Sequence, residues 1–231
     1  SMNKVEGLHH LAISTGDMKA QIEFFTEKLG MQLQALYWMH GVENTKHCFL
    51  RLNDESSIAF VHNPDIEQIA SHIGQSHAGN AGANSAPGTM QHLAFKVKDD
   101  EALYHMRDRL RSHGIPVLGP IEHGLCRSIY FAGLENMTLE FAYSNEPIDN
   151  NAWVDPEVVE LLGISAAELA RYKQPADYIG QGGHSGQVAQ PAADAVGPHM
   201  TNYPPGAYAR VISIPDDVVL NLVDSTPPVK I

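Results

Sequence analysis

Apolar and polar positions alternate along Val5 to Ser14. Leu8, Leu11, Ala12 and Ile13 enclose two histidines there, and the stretch reads as a strand. Gly16-Asp17 then starts a helix with Asp17 as N-cap. Ile22, Phe25 and Leu29 keep helical spacing, and Gly30 is the C-cap. Three more strands follow at Met31 to Trp38, Lys46 to Leu52 and Ser57 to Val61, so the first stretch reads β-α-β-β-β. Asp65 to Ile73 is expected as a helix. Gln75 to Gly88, rich in glycine and alanine, is expected as a loop.

The same order then returns. Gln91 to Val97 reads as a strand, and Asp99 to Ser112 as a helix with Leu103, Met106 and Leu110 on one face. His113-Gly114 closes that helix, and Pro116 to Leu118, Arg127 to Phe131 and Thr138 to Tyr143 supply three strands. His10-Leu-Ala-Ile and His92-Leu-Ala-Phe are one phrase, 82 positions apart, each followed by an acidic cap, an amphipathic helix and a glycine. Agreement at several levels of pattern marks an internal duplication, with modules at about 5–63 and 89–144. The fold class expected is α+β, with two βαβββ modules over residues 5–144.

After Tyr143 the character changes. Asp155-Pro156 starts a helix, and Ser165 with Glu168 starts another as a capping box. Gln174 to Pro205 is rich in Gly, Pro, Gln and Ala, and Tyr208 to Ile214 reads as one more strand. Residues 145–231 are expected as a helical and irregular extension without a core of its own. It would wrap the duplicated body or the partner subunit of a homodimer.

Composition narrows the classes. Fifteen basic against 27 acidic residues give a net charge of −12, which argues against nucleic acid and against anionic membrane surfaces. No apolar run reaches the length of a membrane span. Two cysteines without metal-type spacing, and no visible secretory leader, suit a reduced cytoplasmic compartment. Thirteen histidines are many for 231 residues, but several fall in Gly/Ser-rich loops and read as solvated. The histidines embedded in strands are the ones to weigh.

Glu140 is the odd residue of the last strand, because it stands between Leu139 and Phe141. It either points to the solvated face of a half-buried strand or has a buried partner, since an unpaired buried charge is very costly. A metal ion is one such partner. His10 and His92 occupy equivalent places in the repeat. Two histidines and a carboxylate on one face can hold a divalent metal and leave coordination positions open. The spacing alone does not bring them together.

The phrase Leu8-His9-His10-Leu-Ala-Ile, with Asp17, Phe24-Phe25 and Leu29-Gly30-Met31, resembles the opening of a vicinal oxygen chelate module. Ser128-Ile-Tyr-Phe and Thr138-Leu-Glu-Phe resemble its closing strands. The superfamily includes glyoxalases, bleomycin-resistance-type binders and type I extradiol dioxygenases. The resemblance covers residues 5 to 144 and implies a cup-shaped mixed sheet with His10, His92 and Glu140 as metal ligands. Ile58-Ala-Phe-Val61 holds no fourth, carboxylate ligand, which points away from glyoxalase I. Extradiol dioxygenases carry a histidine, then a hydrophobic-Tyr pair, then a carboxylate ligand ten residues after the Tyr. His123, Ile129-Tyr130 and Glu140 match that order, and the likeness implies that His123 and Tyr130 hydrogen-bond substrate oxygens. Gly133, Leu134 and Asn136 depart from that family's usual turn.

The function implied is ring cleavage of a catechol-like aromatic diol by a non-haem Fe(II) dioxygenase, with Mn(II), Zn(II) or Ni(II) as other metals the site would accept. A metal-dependent glyoxalase- or epimerase-like isomerase or lyase is the first alternative. A non-catalytic binding protein is the second. Weaker candidates are His62 facing the cup and Arg127 as an anion clamp. His9 is expected on the face opposite His10.

Overall fold

The computed structural model describes residues 5–180 and 188–231. The duplication is realised as two four-stranded mixed sheets. β1 (His10–Ser14), β2 (Gln32–Trp38), β3 (Lys46–Asn53) and β4 (Ser56–His62) form the first, in the order β1-β4-β3-β2. β5 (Leu93–Lys96), β6 (Leu118–Glu122), β7 (Arg127–Ala132) and β8 (Thr138–Tyr143) form the second, in the order β5-β8-β7-β6. The first strand of each module runs parallel to the last, and the other neighbours are antiparallel.

Both module helices start as their sequence indicates. The Asp17 carboxylate accepts from Ala20 N at the head of α1 (Met18–Glu23), and Asp99 accepts from Ala102 N at the head of α2 (Asp100–Ser112). α1 continues as a π-helical turn over Phe24–Lys28, where the spacing alone predicts an unbroken helix. The neighbouring residues Phe24 and Phe25 are both buried there, with rings 5.8 Å apart.

Strand alternation sorts each sheet into two faces. Leu11, Ile13, Cys48, Leu50, Ile58 and Phe60 of the first sheet and Phe95, Ile129, Phe131, Leu139 and Phe141 of the second share one hydrophobic core with Phe25, Leu103 and Leu110. The Phe25 ring packs on Phe60 at 5.2 Å and on Phe95 at 6.2 Å, one from each module. Burying such side chains is the main drive that joins the modules. The opposite faces carry His10, His47 and Glu140.

Three expectations change. Asp65 to Ile73 contains only a 3₁₀ turn at Ile66–Gln68, because Ile69 and Ile73 stay exposed and offer no face to bury. The strand expected at Pro116 to Leu118 runs over Leu118–Glu122 instead. Its register shifts between Leu118 and Ile121, which leaves Pro120 on an edge strand that tolerates a missing donor. Tyr208 to Ile214 is not a strand. Ala207–Val211 is helical (α5), with no sheet neighbour among the described residues to complete a ladder, so local helical bonds satisfy its backbone. Cys48 and Cys126 are free thiols.

Two more helices follow the modules. α3 (Pro156–Leu161) begins at Asp155, and α4 (Ala166–Lys173) begins at the Ser165–Glu168 capping box. Of the described residues, 5–6, 39–43, 176–180 and 188–231 belong to a second compact unit, which carries α5 and a short helix at Asp216–Val219. None of the described residues of 176–231 is buried. No helix among the described residues is long and apolar enough to cross a membrane.

Candidate metal and substrate site

The ladder between β5, β8 and β7 sets Ala94, Glu140 and Tyr130 side by side. Their neighbours Leu93, Leu139 and Phe131, and Phe95, Phe141 and Ile129, turn into the core. Glu140 therefore has a buried carboxylate on the face away from the helix. His92, one residue before β5, places Nε2 3.0 Å from Glu140 Oε1 and supplies the partner a buried carboxylate needs. Its Nδ1 meets Gln91 Oε1, so second-layer contacts orient the ring.

Tyr130 adds the next layer. Its hydroxyl lies 2.8 Å from His123 Nε2, and the two rings meet edge to face at 6.0 Å. The His92 and Tyr130 ring centres are 6.4 Å apart. His123 is held at the β6–β7 turn by a bond from its N–H to the Cys126 carbonyl. Burial, and then the Glu140 carboxylate, push the Tyr130 phenol above its ordinary value. Tyr130 thus stays protonated near neutral pH and can donate.

The first module repeats the backbone of this site with different chemistry. Ala12, Ala59 and Phe49 stand side by side as Ala94, Glu140 and Tyr130 do. His10 packs its ring on Phe49 at 5.1 Å, and its Nδ1 lies 2.9 Å from that of His9. His9 precedes the strand, so strand alternation does not send its ring to the far face. Two residues from Phe49, His47 receives Tyr37 Oη at 3.1 Å on Nδ1. Its Nε2 is buried and has no hydrogen-bond partner among the described residues. Burial, then the neighbouring His10, lower its pKa. The Tyr37–His47 pair escapes a motif search. The pattern Cys48-in, Leu50-in would have found His47 and Phe49 on the other face.

His92, Glu140, Tyr130 and His123 are thus brought together, while His10 stands on the other sheet. Among the described residues, no three His, Cys, Asp or Glu side chains stand close enough as a group to hold a metal ion. The donor types nonetheless suit one. His10 and His92 offer imidazole nitrogens, and Glu140 offers a carboxylate already withdrawn from solvent.

Two weaker candidates take other roles. His62 alternates with Ile58 and Phe60, turns to their face of the sheet and pairs with Glu67 at 2.6 Å. Arg127 is committed to Asp100 at 2.7 Å and Glu122 at 3.1 Å, which leaves it no role as a free anion clamp.

Comparison with known proteins places the chain. The Glyoxalase/Bleomycin resistance protein/Dioxygenase superfamily matches residues 7–153. A glyoxylase/bleomycin resistance protein/dioxygenase domain from Frankia sp. EAN1pec is 17% identical, over 62% of this chain and 100% of its own, with a TM-score of 0.48. TnmS3, an antibiotic binding protein from Streptomyces sp. CB03234, is 14% identical over 62% of this chain and 99% of its own, with a TM-score of 0.44. The fosfomycin resistance protein FosX from Listeria monocytogenes is 19% identical over 61% and 95%, with a TM-score of 0.41. No curated protein sequence matches. With the family match spanning both modules and the folded repeat agreeing with it, this chain belongs to the glyoxalase/bleomycin resistance protein/dioxygenase superfamily.

Proposed function

We propose that the chain is a metal-dependent enzyme of this superfamily that cleaves a catechol-like diol in the extradiol manner with dioxygen. One observation carries the reading. Glu140, buried and paired with His92, lies directly across the ladder from Tyr130, whose hydroxyl is bonded to His123.

His92 and Glu140 would hold the metal, with His10 as the third ligand once its side chain moved to meet them. A bound divalent ion supplies a Lewis acid for two vicinal oxygens and, as Fe(II), redox capacity toward dioxygen. The chain does the rest. Tyr130 donates from its protonated hydroxyl to a substrate oxygen and fixes the diol's orientation. His123, in hydrogen-bond reach of that hydroxyl, takes or returns a proton through it. The aromatic row Tyr37, His47 and Phe49 offers flat apolar surface to an aromatic ring. That row would serve a pure binding protein equally well, so metal content separates the two readings.

The test is elemental analysis of anaerobically purified wild type and Glu140→Ala, followed by oxygen uptake with a catechol panel. Near-stoichiometric iron in wild type, its loss in the variant, and catechol-dependent oxygen uptake are the expected results. Zinc, nickel or manganese with oxygen-independent turnover of a carbonyl substrate would replace this reading with an isomerase or lyase. Tight binding of an aromatic ligand by protein that takes up no added metal would replace it with a binding protein.

A further inference from the structure

His123 is exposed, yet its Nε2 lies 2.8 Å from the Tyr130 hydroxyl. An exposed imidazole moves readily among rotamers, so the bond depends on how the backbone of the β6–β7 turn presents the ring. β6 ends at Glu122 and β7 begins at Arg127, and these two residues are ladder partners across the turn. The Glu122 carboxylate spans the near half of that turn. Its Oε2 accepts from the Gly124 N–H at 3.0 Å, so the bond closes around His123. Its Oε1 accepts from Arg127 Nη2 at 3.1 Å and from Nε at 3.3 Å. The Gly124 N–H, and then Arg127, hold the Glu122 carboxyl below the ordinary carboxylate range, so both oxygens accept near neutral pH.

Arg127 is itself anchored. Its Nη1 donates to Asp100 Oδ1 at 2.7 Å, at the head of α2, and Tyr143 Oη donates to the same oxygen at 2.9 Å. A continuous chain of bonds therefore runs from α2 through Arg127 and Glu122 to the backbone beside His123. The far half of the turn has its own hold, where Ser144 Oγ donates to the Leu125 carbonyl at 2.7 Å. Stability does not account for the link at Glu122. The Glu122 side chain is 56% exposed and that of Arg127 36%, and pairs this open to water add little to folding. Charge-assisted bonds on both oxygens of one carboxylate fix direction instead.

We propose that Glu122 is a positioning residue for His123, holding the β6–β7 turn so that the imidazole Nε2 meets the Tyr130 hydroxyl. The inference rests on the acid–base role given to His123 above and requires no metal ion.

The test is nitrogen NMR of the full chain carrying isotope-labelled histidine, because the His123 Nε2 signal reports its hydrogen bond. His123→Asn assigns the signal, and Tyr130→Phe gives its position without the bond. Glu122→Gln keeps the side chain's size and loses the charge. It should move the signal at least about halfway to the Tyr130→Phe position, and in the Tyr130→Phe background it should add less than about a fifth of that shift, because the contact it positions is gone. Glu122→Asp keeps a charge beside His123 but is one methylene too short to span Gly124 and Arg127, and it should move the signal as Glu122→Gln does. The urea midpoint of either variant should barely change. An unmoved signal in Glu122→Gln, or an equal shift in both backgrounds, overturns the proposal. So does a wild-type signal in Glu122→Asp, which would leave only the field of the charge. If Tyr130→Phe leaves the His123 signal in place, there is no bond to position and the proposal falls. Should Glu122→Gln fail to fold, Glu122→Asp carries the comparison. Catechol-dependent oxygen uptake is measured on the same proteins. Where wild type turns over a catechol, Glu122→Gln should slow turnover about tenfold, and unchanged turnover overturns the proposal. Wild type without uptake defeats the dioxygenase reading, while the nitrogen signals still decide whether Glu122 positions His123.

Discussion

Ala59 occupies in the first module the place that Glu140 occupies in the second. Each lies on the last strand of its module, one residue beyond the partner of the leucine that follows the repeated histidine. Leu11 pairs with Ile58 and Ala12 with Ala59, as Leu93 pairs with Leu139 and Ala94 with Glu140. Across the sheet, Phe49 faces Ala59 where Tyr130 faces Glu140. At these paired places the second module holds a carboxylate and a phenol where the first holds alanine and phenylalanine.

The His92–Glu140 pair makes a stability prediction independent of any metal. Removing one partner of a buried pair leaves the other charge without compensation, and His92 is about one-third exposed, so water restores part of the loss. His92→Ala should destabilise the metal-free protein by about 1–2 kcal/mol. Adding Glu140→Leu should return most of it, since an apolar side chain has no charge to compensate. Urea unfolding of both variants measures this, and a double variant less stable than His92→Ala would contradict it.

Asp100 governs a pH dependence. Hydrogen bonds from Arg127, and then from Tyr143 at 2.9 Å, hold its carboxyl below the ordinary carboxylate value. A depressed carboxylate binds its proton more weakly in the folded than in the unfolded chain. Its contribution is therefore complete above the unfolded pKa of about 4 and is lost as pH falls through the folded value. Asp100→Asn should flatten the loss of stability below about pH 4 and change the slope little above pH 6. Unfolding midpoints measured across that range test the sign.

Gly119 and Gly114 both need a left-handed backbone, at φ 113° and 78°, yet they should respond differently to alanine. A Cβ at Gly119 would lie 2.7 Å from the Ser128 carbonyl oxygen, which is backbone and cannot swing aside. A Cβ at Gly114 meets nothing within 4 Å. Gly114→Ala should cost about 1 kcal/mol of conformational strain alone. Gly119→Ala should cost more than about 2 kcal/mol, because strand β6 must shift away from β7. Thermal melts of the two variants decide it, and equal costs would show that the clash is absorbed.

Much of this architecture could be read along the chain. Periodicity and caps located both modules, because Asp17 and Asp99 act within their own turns and strand alternation is a local property. The repeated His10-Leu-Ala-Ile phrase identified the duplication, and alternation around Leu139 and Phe141 singled out Glu140. Tyr208 to Ile214 misled because a strand needs a neighbour, and only the fold shows that none of the described residues supplies one. His62 misled because its face depends on β4 continuing one residue past Val61. Glu140 remained open between a solvated face and a buried pair until His92, 48 positions away, came within 3.0 Å. The Tyr37–His47 pair rests on a contact between strands, and the bonds of Glu135 to Thr15, Gly16 and Gln21 rest on contacts between modules. Local sequence carries the propensities that make elements, whereas which polar atoms meet across sheets follows from how the shared core packs them.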